Sequence, residues 1–368
     1  MPFGPPPSSE RTLRAPAAHL ADLAPYDPKY LPARVLLSAN ESPWGLTESV
    51  RACVLAALAD REFNRYPDPL AADLRAQIAT YCGVRAEQVL IGNGGDELIF
   101  DLLLAWGTGG RRLLIAPPSF GSYEIFARLT DTEVIEVARR ADKSVDEQTL
   151  LARLGEGDID LLMLASPNNP TGECLSCDFV ERLLAASDAP VLLDQAYLEF
   201  ADPVYDASPL LARHDNLVLL RTFSKAFGLA GIRLGYLLAN PAVIHELVKV
   251  RQPYSVDSFS TLIGSAVLAD LDALDERVAT TRLERERVAG ELARLPDARV
   301  YPSEANFLLV SFPGAAVIWQ RLYEDHGVLV RDFSHSPGLE GCLRISIGTP
   351  EENDLLLEAM RKVVEAPV

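Results

Sequence analysis

The sequence reads Arg221-Thr222-Phe223-Ser224-Lys225-Ala226-Phe227-Gly228-Leu229-Ala230-Gly231-Ile232-Arg233 at the point that decides its fold and its site. Lys225 follows the hydroxyls of Thr222 and Ser224, glycines come after it, and Arg233 closes the stretch. A lysine amine can form a Schiff base with a carbonyl compound, and hydroxyl and guanidinium groups suit a phosphate. The stretch therefore predicts that a phosphorylated carbonyl compound is held covalently beside an anion site.

Short apolar runs alternate with longer helical patterns through the middle of the chain. These runs occupy residues 89–91, 112–115, 161–164, 191–193, 217–220 and 234–238. Because they lack polar alternation, we expect strands that are buried on both faces. The sequence therefore predicts an α/β fold with a mostly parallel central sheet flanked by helices. Each run ends in a polar or glycine- and proline-rich segment, and such sheets bind ligands at the carboxyl ends of their strands.

The C-terminal part predicts a second, smaller α+β domain. A helical, charge-rich stretch from about residue 258 to 295 precedes strand-like runs at 307–310, 328–330 and 342–347. We therefore expect a flexible tail over residues 1–10 and a large domain over 46–257. Residues 11–45 together with 258–368 are expected to form the small domain.

Composition limits the classes of partner. The 368 residues carry a net charge of −18, which argues against nucleic acid or an anionic membrane surface as a partner. No apolar run reaches the roughly 18 residues of a membrane span. Five scattered cysteines and a proline-rich start without a secretory pattern indicate a cytoplasmic protein. Cys174 and Cys177 form a lone pair that we interpret as small residues near a helix start, so no metal is expected.

Two segments at predicted strand ends could contact a flat, phosphorylated ligand. Gly95, Asp96 and Glu97 lie in a glycine pair that opens a helix, where free N–H groups can bind a phosphate. A plain tight turn with an acidic cap explains the same residues. Tyr123 could stack on a heterocycle, although core packing is the alternative.

Three further features could complete such a site. Asn169, in a loop dense in turn formers, could donate to an oxyanion. Asp194 ends a buried strand, where a carboxylate needs a partner such as a protonated ring nitrogen; a salt bridge or a helix cap is the alternative. Arg331 and Arg344 lie near C-terminal strands and could bind a carboxylate or phosphate, or form structural ion pairs.

Taken in order, these segments resemble the fold-type I aminotransferases that depend on pyridoxal 5'-phosphate (PLP). The resemblance rests on Asn169-Pro170-Thr171-Gly172, Asp194-x-x-Tyr197 and Ser224-Lys225 with Arg233, and it runs from about residue 37 to 357. Within these enzymes the sequence is most similar to the histidinol-phosphate aminotransferases. The stretches that carry this closer similarity are residues 40–43, 64–69, 95–97, 327–333 and 337–353.

The resemblance implies a role for each matching residue. Lys225 would hold PLP as a Schiff base and carry a proton, Asp194 would pair with the ring nitrogen, and Tyr197 with Asn169 would bind the ring oxygen. Tyr123 would stack on the ring. The remaining cofactor contacts, mostly to the phosphate, would come from Gly95, Asp96, Glu97, Thr222, Ser224 and Arg233. Tyr66 would reach the phosphate of a neighbouring subunit in a homodimer.

The resemblance also implies the substrates. Arg331 and Arg344 would bind the anionic end of a small amino donor or of a 2-oxo acid, together with Tyr26, Asn40 and Asn169. Tyr30 is the alternative to Tyr26 in this role. Amino transfer from histidinol phosphate to 2-oxoglutarate would then proceed by a ping-pong scheme within histidine biosynthesis. Another aminotransferase of this fold, acting on aromatic or other amino acids, is an alternative, and so is a threonine-phosphate decarboxylase. A PLP-binding regulator is a third, which the lack of a basic DNA-binding module disfavours.

Overall fold

The computed structural model describes residues 14–20, 23, 31–59 and 61–365. The tail expected over residues 1–10 and the proposed substrate ligand Tyr26 lie outside the described residues. The strands are β1 (Val35–Leu37), β2 (Val89–Gly92), β3 (Arg112–Ile115), β4 (Glu133–Glu136), β5 (Leu161–Ala165), β6 (Val191–Asp194), β7 (Leu217–Thr222), β8 (Gly235–Ala239), β9 (Arg299–Val300), β10 (Phe307–Ser311), β11 (Val328–Asp332) and β12 (Cys342–Ser346). The α-helices are α1 (Glu48–Ala59), α2 (Ala72–Cys82), α3 (Gly94–Trp106), α4 (Ser122–Leu129), α5 (Glu147–Leu154), α6 (Cys177–Ala186), α7 (Pro241–Val250), α8 (Ser258–Leu268), α9 (Leu271–Leu292), α10 (Ala315–His326) and α11 (Pro350–Glu365).

Seven strands form the larger sheet, in the order β2-β8-β7-β6-β5-β3-β4. Strands β4, β3, β5, β6 and β7 pair in parallel, and β8 runs antiparallel to both of its neighbours. All residues of β5, β6 and β7 are buried, because helices cover both faces of the sheet. The expected α/β fold with a mostly parallel sheet is confirmed.

One strand of this sheet was missed by the sequence analysis. Strand β4 has the sequence Glu-Val-Ile-Glu, and its two glutamates are exposed. The strand lies at the edge of the sheet, where charged side chains can remain in water. Acidic residues at both ends left no apolar run to detect.

The smaller sheet has the order β1-β11-β12-β10-β9 and combines an N-terminal strand with C-terminal ones. Strand β1 pairs in parallel with β11, and the other pairs are antiparallel. Helix α8 buries Ile263 and Val267 in the core of the larger sheet, whereas α9 reaches both cores through Leu274 and Val288. The predicted domain boundary between residues 257 and 258 stays a prediction. No helix in the described ranges is both long and apolar enough to cross a bilayer.

The start of α3 packs unusually closely against β8. A Cβ on Gly235 would lie 2.8 Å from the carbonyl carbon of Gly94 and 2.9 Å from the amide nitrogen of Gly95. Both contacts are to backbone atoms, which cannot move aside as a flexible side chain can. Glycine at this position therefore fixes the distance between the sheet and the first turn of α3.

We expect Gly235→Ala to destabilise the protein by about 1–3 kcal/mol, since the added methyl group forces the start of α3 away from β8. The measurement is the midpoint of thermal or urea unfolding. Gly231→Ala is the matched control, because a Cβ on Gly231 would meet no atom within 4 Å. Equal midpoints for the two variants would contradict the close-packing argument.

Candidate active site

A cavity of about 1030 Å³ opens where the parallel strands of the larger sheet end. Because these strands run in the same direction, their following loops converge on one edge of the sheet. The smaller sheet contributes the opposite wall. Most of the predicted site residues line this cavity: Asn40, Gly95, Asp96, Asn169, Asp194, Tyr197, Thr222, Ser224, Lys225, Arg233, Arg331 and Arg344.

Lys225 is half-buried in the loop that follows β7. Its Nζ donates a hydrogen bond to the carbonyl oxygen of Ala39 at 3.2 Å and lies 5.7 Å from the centroid of the Tyr197 ring. These contacts aim the amine across the cavity. A lysine amine in this position can reach a carbonyl group that is bound in the cavity.

Asp194 forms the floor of the cavity at the end of β6. The Tyr123 hydroxyl donates to Asp194 Oδ2 at 2.8 Å, and the Ala196 amide donates to Oδ1 at 3.0 Å. Burial raises the pKa of Asp194 to about 6, although both hydrogen bonds act in the opposite direction. A cation held beside this carboxylate would be strongly stabilised.

Hydrogen bonds connect the Tyr197 hydroxyl and the Asn169 amide to the smaller sheet. Asn40 Nδ2 donates to the Tyr197 hydroxyl at 3.0 Å, and Arg344 Nη1 donates to Asn169 Oδ1 at 2.6 Å. Asn40 also accepts a hydrogen bond from the Ser346 hydroxyl at 3.0 Å. The two polar side chains expected around a ring oxygen are thus fixed by residues from the wall that the smaller sheet contributes, here called the far wall.

An anion cradle lies at the first turn of α3. Gly94 has a φ of 79°, a backbone conformation that favours glycine, and a Cβ there would lie 2.6 Å from Arg233 Nη2. Arg233 Nη2 donates to Asp96 Oδ2 at 3.0 Å, and Thr222 and Ser224 line the same cavity. The Thr222 hydroxyl donates to the Leu234 carbonyl oxygen at 3.3 Å. Free amides at a helix start, two hydroxyls and a guanidinium form a donor set that suits a phosphate.

The two arginines of the far wall share one aromatic ring. Arg331 and Arg344 are paired opposite each other on β11 and β12. Their guanidinium carbons lie 5.9 and 5.7 Å from the centroid of the Phe333 ring. Arg344 Nη2 also donates to the Ser38 carbonyl oxygen at 2.5 Å. The pair brings two positive charges to the cavity wall that faces Lys225.

The structure corrects the expected position of Tyr123. Its side chain is fully buried and is absent from the cavity lining, because its hydroxyl is used to bind Asp194. Phe120, in the loop just before α4, lines the cavity. The sequence analysis named core packing as the alternative for Tyr123, and the buried ring matches that alternative.

Two other predicted cofactor contacts do not line the cavity within this chain. Glu97 accepts a hydrogen bond from the Asn93 amide at 2.6 Å, which makes it a cap of α3. Tyr66 is 81% exposed and stacks on Tyr254 with 4.6 Å between the ring centroids. The expected contribution of Tyr66 to a neighbouring subunit stays a prediction.

Some cavity residues carried no signal in the sequence. Lys143 and Arg139 lie in the loop after β4, the edge strand that the sequence analysis missed. Ser38 and Ala39 act through backbone carbonyl groups, which every residue has. These side chains and carbonyl groups reach the site only because the two sheets are packed against each other in the folded chain.

The fold, the half-buried lysine and the buried acid beside an anion cradle are those expected of an aminotransferase of this fold. The chain belongs to the aminotransferase class I and II family, whose model matches residues 32–360. A histidinol-phosphate aminotransferase of Carboxydothermus hydrogenoformans is 40% identical over 94% of this chain and 97% of its own length.

Two solved structures are also similar. The histidinol-phosphate aminotransferase of Sinorhizobium meliloti, in complex with PLP, has a TM-score of 0.88 at 27% identity and covers 97% of this chain and 99% of its own. The L-threonine-O-3-phosphate decarboxylase of Porphyromonas gingivalis has a TM-score of 0.79 at 26% identity and covers 90% of this chain and 100% of its own.

The raised pKa of Asp194 gives a testable pH dependence. Between pH 4 and pH 6 the folded protein retains a proton on Asp194 that the unfolded chain releases, so this residue lowers stability as the pH rises. In cofactor-free protein, we expect Asp194→Asn to gain stability relative to the wild type by up to about 3 kcal/mol as the pH rises from 4 to 7.

The measurement is the urea unfolding midpoint of both proteins across this pH range. Asp142→Asn is a control with the same change of charge at an exposed site, where hydrogen bonds from Ser144 lower the pKa of the carboxylate. We expect no gain for the control. A constant difference between Asp194→Asn and the wild type would contradict the argument.

Proposed function

We propose that this aminotransferase moves the amino group of histidinol phosphate to 2-oxoglutarate, with PLP as its cofactor, and so serves histidine biosynthesis. The observation that carries the proposal is the convergence of Lys225, Asp194 and the anion cradle on one cavity whose far wall holds two arginines. The 40% identical relative named for this activity supports the choice of substrate.

The donor set of the cavity fits PLP. The cradle at the start of α3 suits its phosphate, and the buried Asp194 suits its ring nitrogen, which is protonated when paired with a carboxylate. The Tyr197 hydroxyl and Asn169 are available to its ring oxygen, and Phe120 takes the stacking role first assigned to Tyr123. When bound, PLP supplies an electron-accepting ring and an aldehyde that reacts with amines.

The chain then provides binding and proton transfer. Lys225 Nζ would bind the aldehyde between turnovers and, once displaced by the substrate amine, remove the proton from the substrate α-carbon. Asp194 would keep the ring nitrogen protonated. The hydrogen bond from Asn40 would hold the Tyr197 hydroxyl in place, and the walls of the cavity would limit access of water.

Arg331 and Arg344 would bind the anionic end of each substrate in turn. Histidinol phosphate presents a phosphate and 2-oxoglutarate a carboxylate, and guanidinium groups bind both. One pair of arginines thus accounts for two chemically different substrates that use the same site. A phosphorylated amino acid would satisfy the same arginines, so the decarboxylase remains the alternative to be tested.

The first experiment is a panel of amino donors with 2-oxoglutarate as acceptor. We expect histidinol phosphate to give glutamate, and we expect the purified protein to absorb visible light as PLP bound to a lysine does. Lys225→Ala should lose both the visible band and about 10²–10⁴-fold or more of the turnover, since the proton carrier is removed. Lys249→Ala, at a surface ion pair with Glu246, is the control.

Two results would contradict the proposal. Release of carbon dioxide from phosphothreonine, without amino transfer from histidinol phosphate, would establish the decarboxylase instead. Full amino transfer by Lys225→Ala would show that the reacting amine lies elsewhere.

We also propose that the active unit is a homodimer in the cytoplasm. Tyr66 and Tyr254 are exposed by 81% and 43%, and exposed apolar residues lie close to them in the sequence, namely Phe63, Leu70 and Phe259. Such exposed apolar surface is typical of an interaction site. The five free cysteines support a reducing compartment.

If Tyr66 completes the site of the neighbouring subunit, mixed dimers will reveal it. We expect light scattering to give the mass of two chains, and Tyr66→Ala to bind the cofactor more weakly. Refolding Tyr66→Ala together with Lys225→Ala should restore activity, because one of the two sites in the mixed dimer is then intact. No gain over the separate variants would argue that each site uses one chain alone.

A further inference from the structure

The loop after β4 lines the cavity and contacts the segment that connects β11 with β12. Lys143 Nζ donates a hydrogen bond to the Gly338 carbonyl oxygen at 2.7 Å and lies 5.9 Å from the centroid of the Tyr301 ring. Gly338 also approaches the loop after β3, since a Cβ there would lie 3.4 Å from Pro118 Cδ. Lys143 therefore joins the loop after β4 to the segment between β11 and β12.

The base of this contact is rigid. Arg139 is almost completely buried and pairs with Glu173, and its Nε donates to the Ala116 carbonyl oxygen at 3.1 Å. Arg139 Nη1 also donates to the Lys143 carbonyl oxygen at 3.1 Å. A buried guanidinium with three such acceptors fixes the backbone of Lys143, which has a φ of 75°.

Gly338 belongs to the segment that supports both arginines of the far wall. This segment, residues 333–341, connects β11 with β12 and begins with Phe333, whose ring both guanidinium groups approach. Its Leu339 is buried against Tyr301 and Cys342. A shift of the segment would therefore move Phe333 and with it the surface on which Arg331 and Arg344 lie.

We propose that Lys143 is a positioning residue that holds residues 333–341 against the large sheet and thereby sets Arg331 and Arg344 for the anionic end of the substrate. The inference rests on the proposed function for the role of these two arginines. Lys143 acts through the Gly338 carbonyl group and does not contact the reacting atoms. Its effect falls on substrate binding, and the chemistry at Lys225 is left unchanged.

The test uses the full-length holoenzyme with Lys143→Met, Lys143→Arg and Lys362→Met as a surface control paired with Glu358. The methionine variant removes one hydrogen bond from a charged, half-buried donor, so we expect the KM for histidinol phosphate and for 2-oxoglutarate to rise about three- to tenfold. We expect kcat and the visible absorbance to stay unchanged. Lys143→Arg should recover most of the loss, since it retains a cationic donor.

Hydrogen exchange supplies the readout that separates positioning from direct binding. We expect Lys143→Met to speed exchange of the Ser336, Leu339 and Gly341 amides, which are bonded within the segment, and to leave α3 unchanged. A rise in KM without faster exchange would mean that Lys143 binds the substrate itself, and would overturn the proposal. Faster exchange without a change in KM would overturn it as well.

Failure of the proposed function can be distinguished from failure of the inference about Lys143. If the wild type did not transfer nitrogen from histidinol phosphate, the exchange comparison would still test the contact with Gly338. The affinity of the holoenzyme and of Lys143→Met for 2-oxoglutarate, measured by calorimetry, would then test the positioning of the arginines. Equal affinities would contradict the inference.

Discussion

The burial of the Asp194 carboxylate is the constraint around which the site is arranged. A charged group at the end of an apolar strand must be compensated, and here the Tyr123 hydroxyl and the Ala196 amide compensate it in part. Because the pKa of Asp194 is nevertheless raised to about 6, the carboxylate remains ready to bind a cation. The use of Tyr123 as a donor takes its ring out of the cavity, and this is why Phe120 forms the wall there.

A short segment after β1 joins the two sides of the cavity. The Ala39 carbonyl oxygen accepts from Lys225, the Ser38 carbonyl oxygen accepts from Arg344, and Asn40 binds the Tyr197 hydroxyl. Strand β1 belongs to the small sheet. Any movement of that sheet would therefore shift the carbonyl groups that hold Lys225 and Arg344 at the same time. In the proposed function, binding of the substrate's anionic end and the placement of the Lys225 amine would be coupled through three consecutive residues, Ser38, Ala39 and Asn40.

The sequence predicted the buried strands well, because continuous apolar runs leave few alternatives for a strand covered on both faces. It also predicted the residues at the strand ends, since parallel strands bring their carboxyl ends to one edge. It failed at β4, where an exposed edge strand needs no apolar run. It left two positions open for the Tyr123 ring, against a ligand or in the core, because an aromatic side chain suits both. Glu97 is a further example: an acid in the first turn of a helix can cap the helix or face a ligand, and residue type alone does not distinguish these roles.

The sequence by itself determined the α/β fold, the lysine that lines the cavity, the buried acid and the glycine-rich start of α3, because each depends on a local pattern of residue types. Only the tertiary structure decided which aromatic faces the cavity, which backbone carbonyl groups hold Lys225 and Arg344, and that Lys143 reaches Gly338. The reason is physical: these contacts join residues that are remote in the chain, and their partners are often backbone atoms, which are the same in every residue and leave no mark in a sequence.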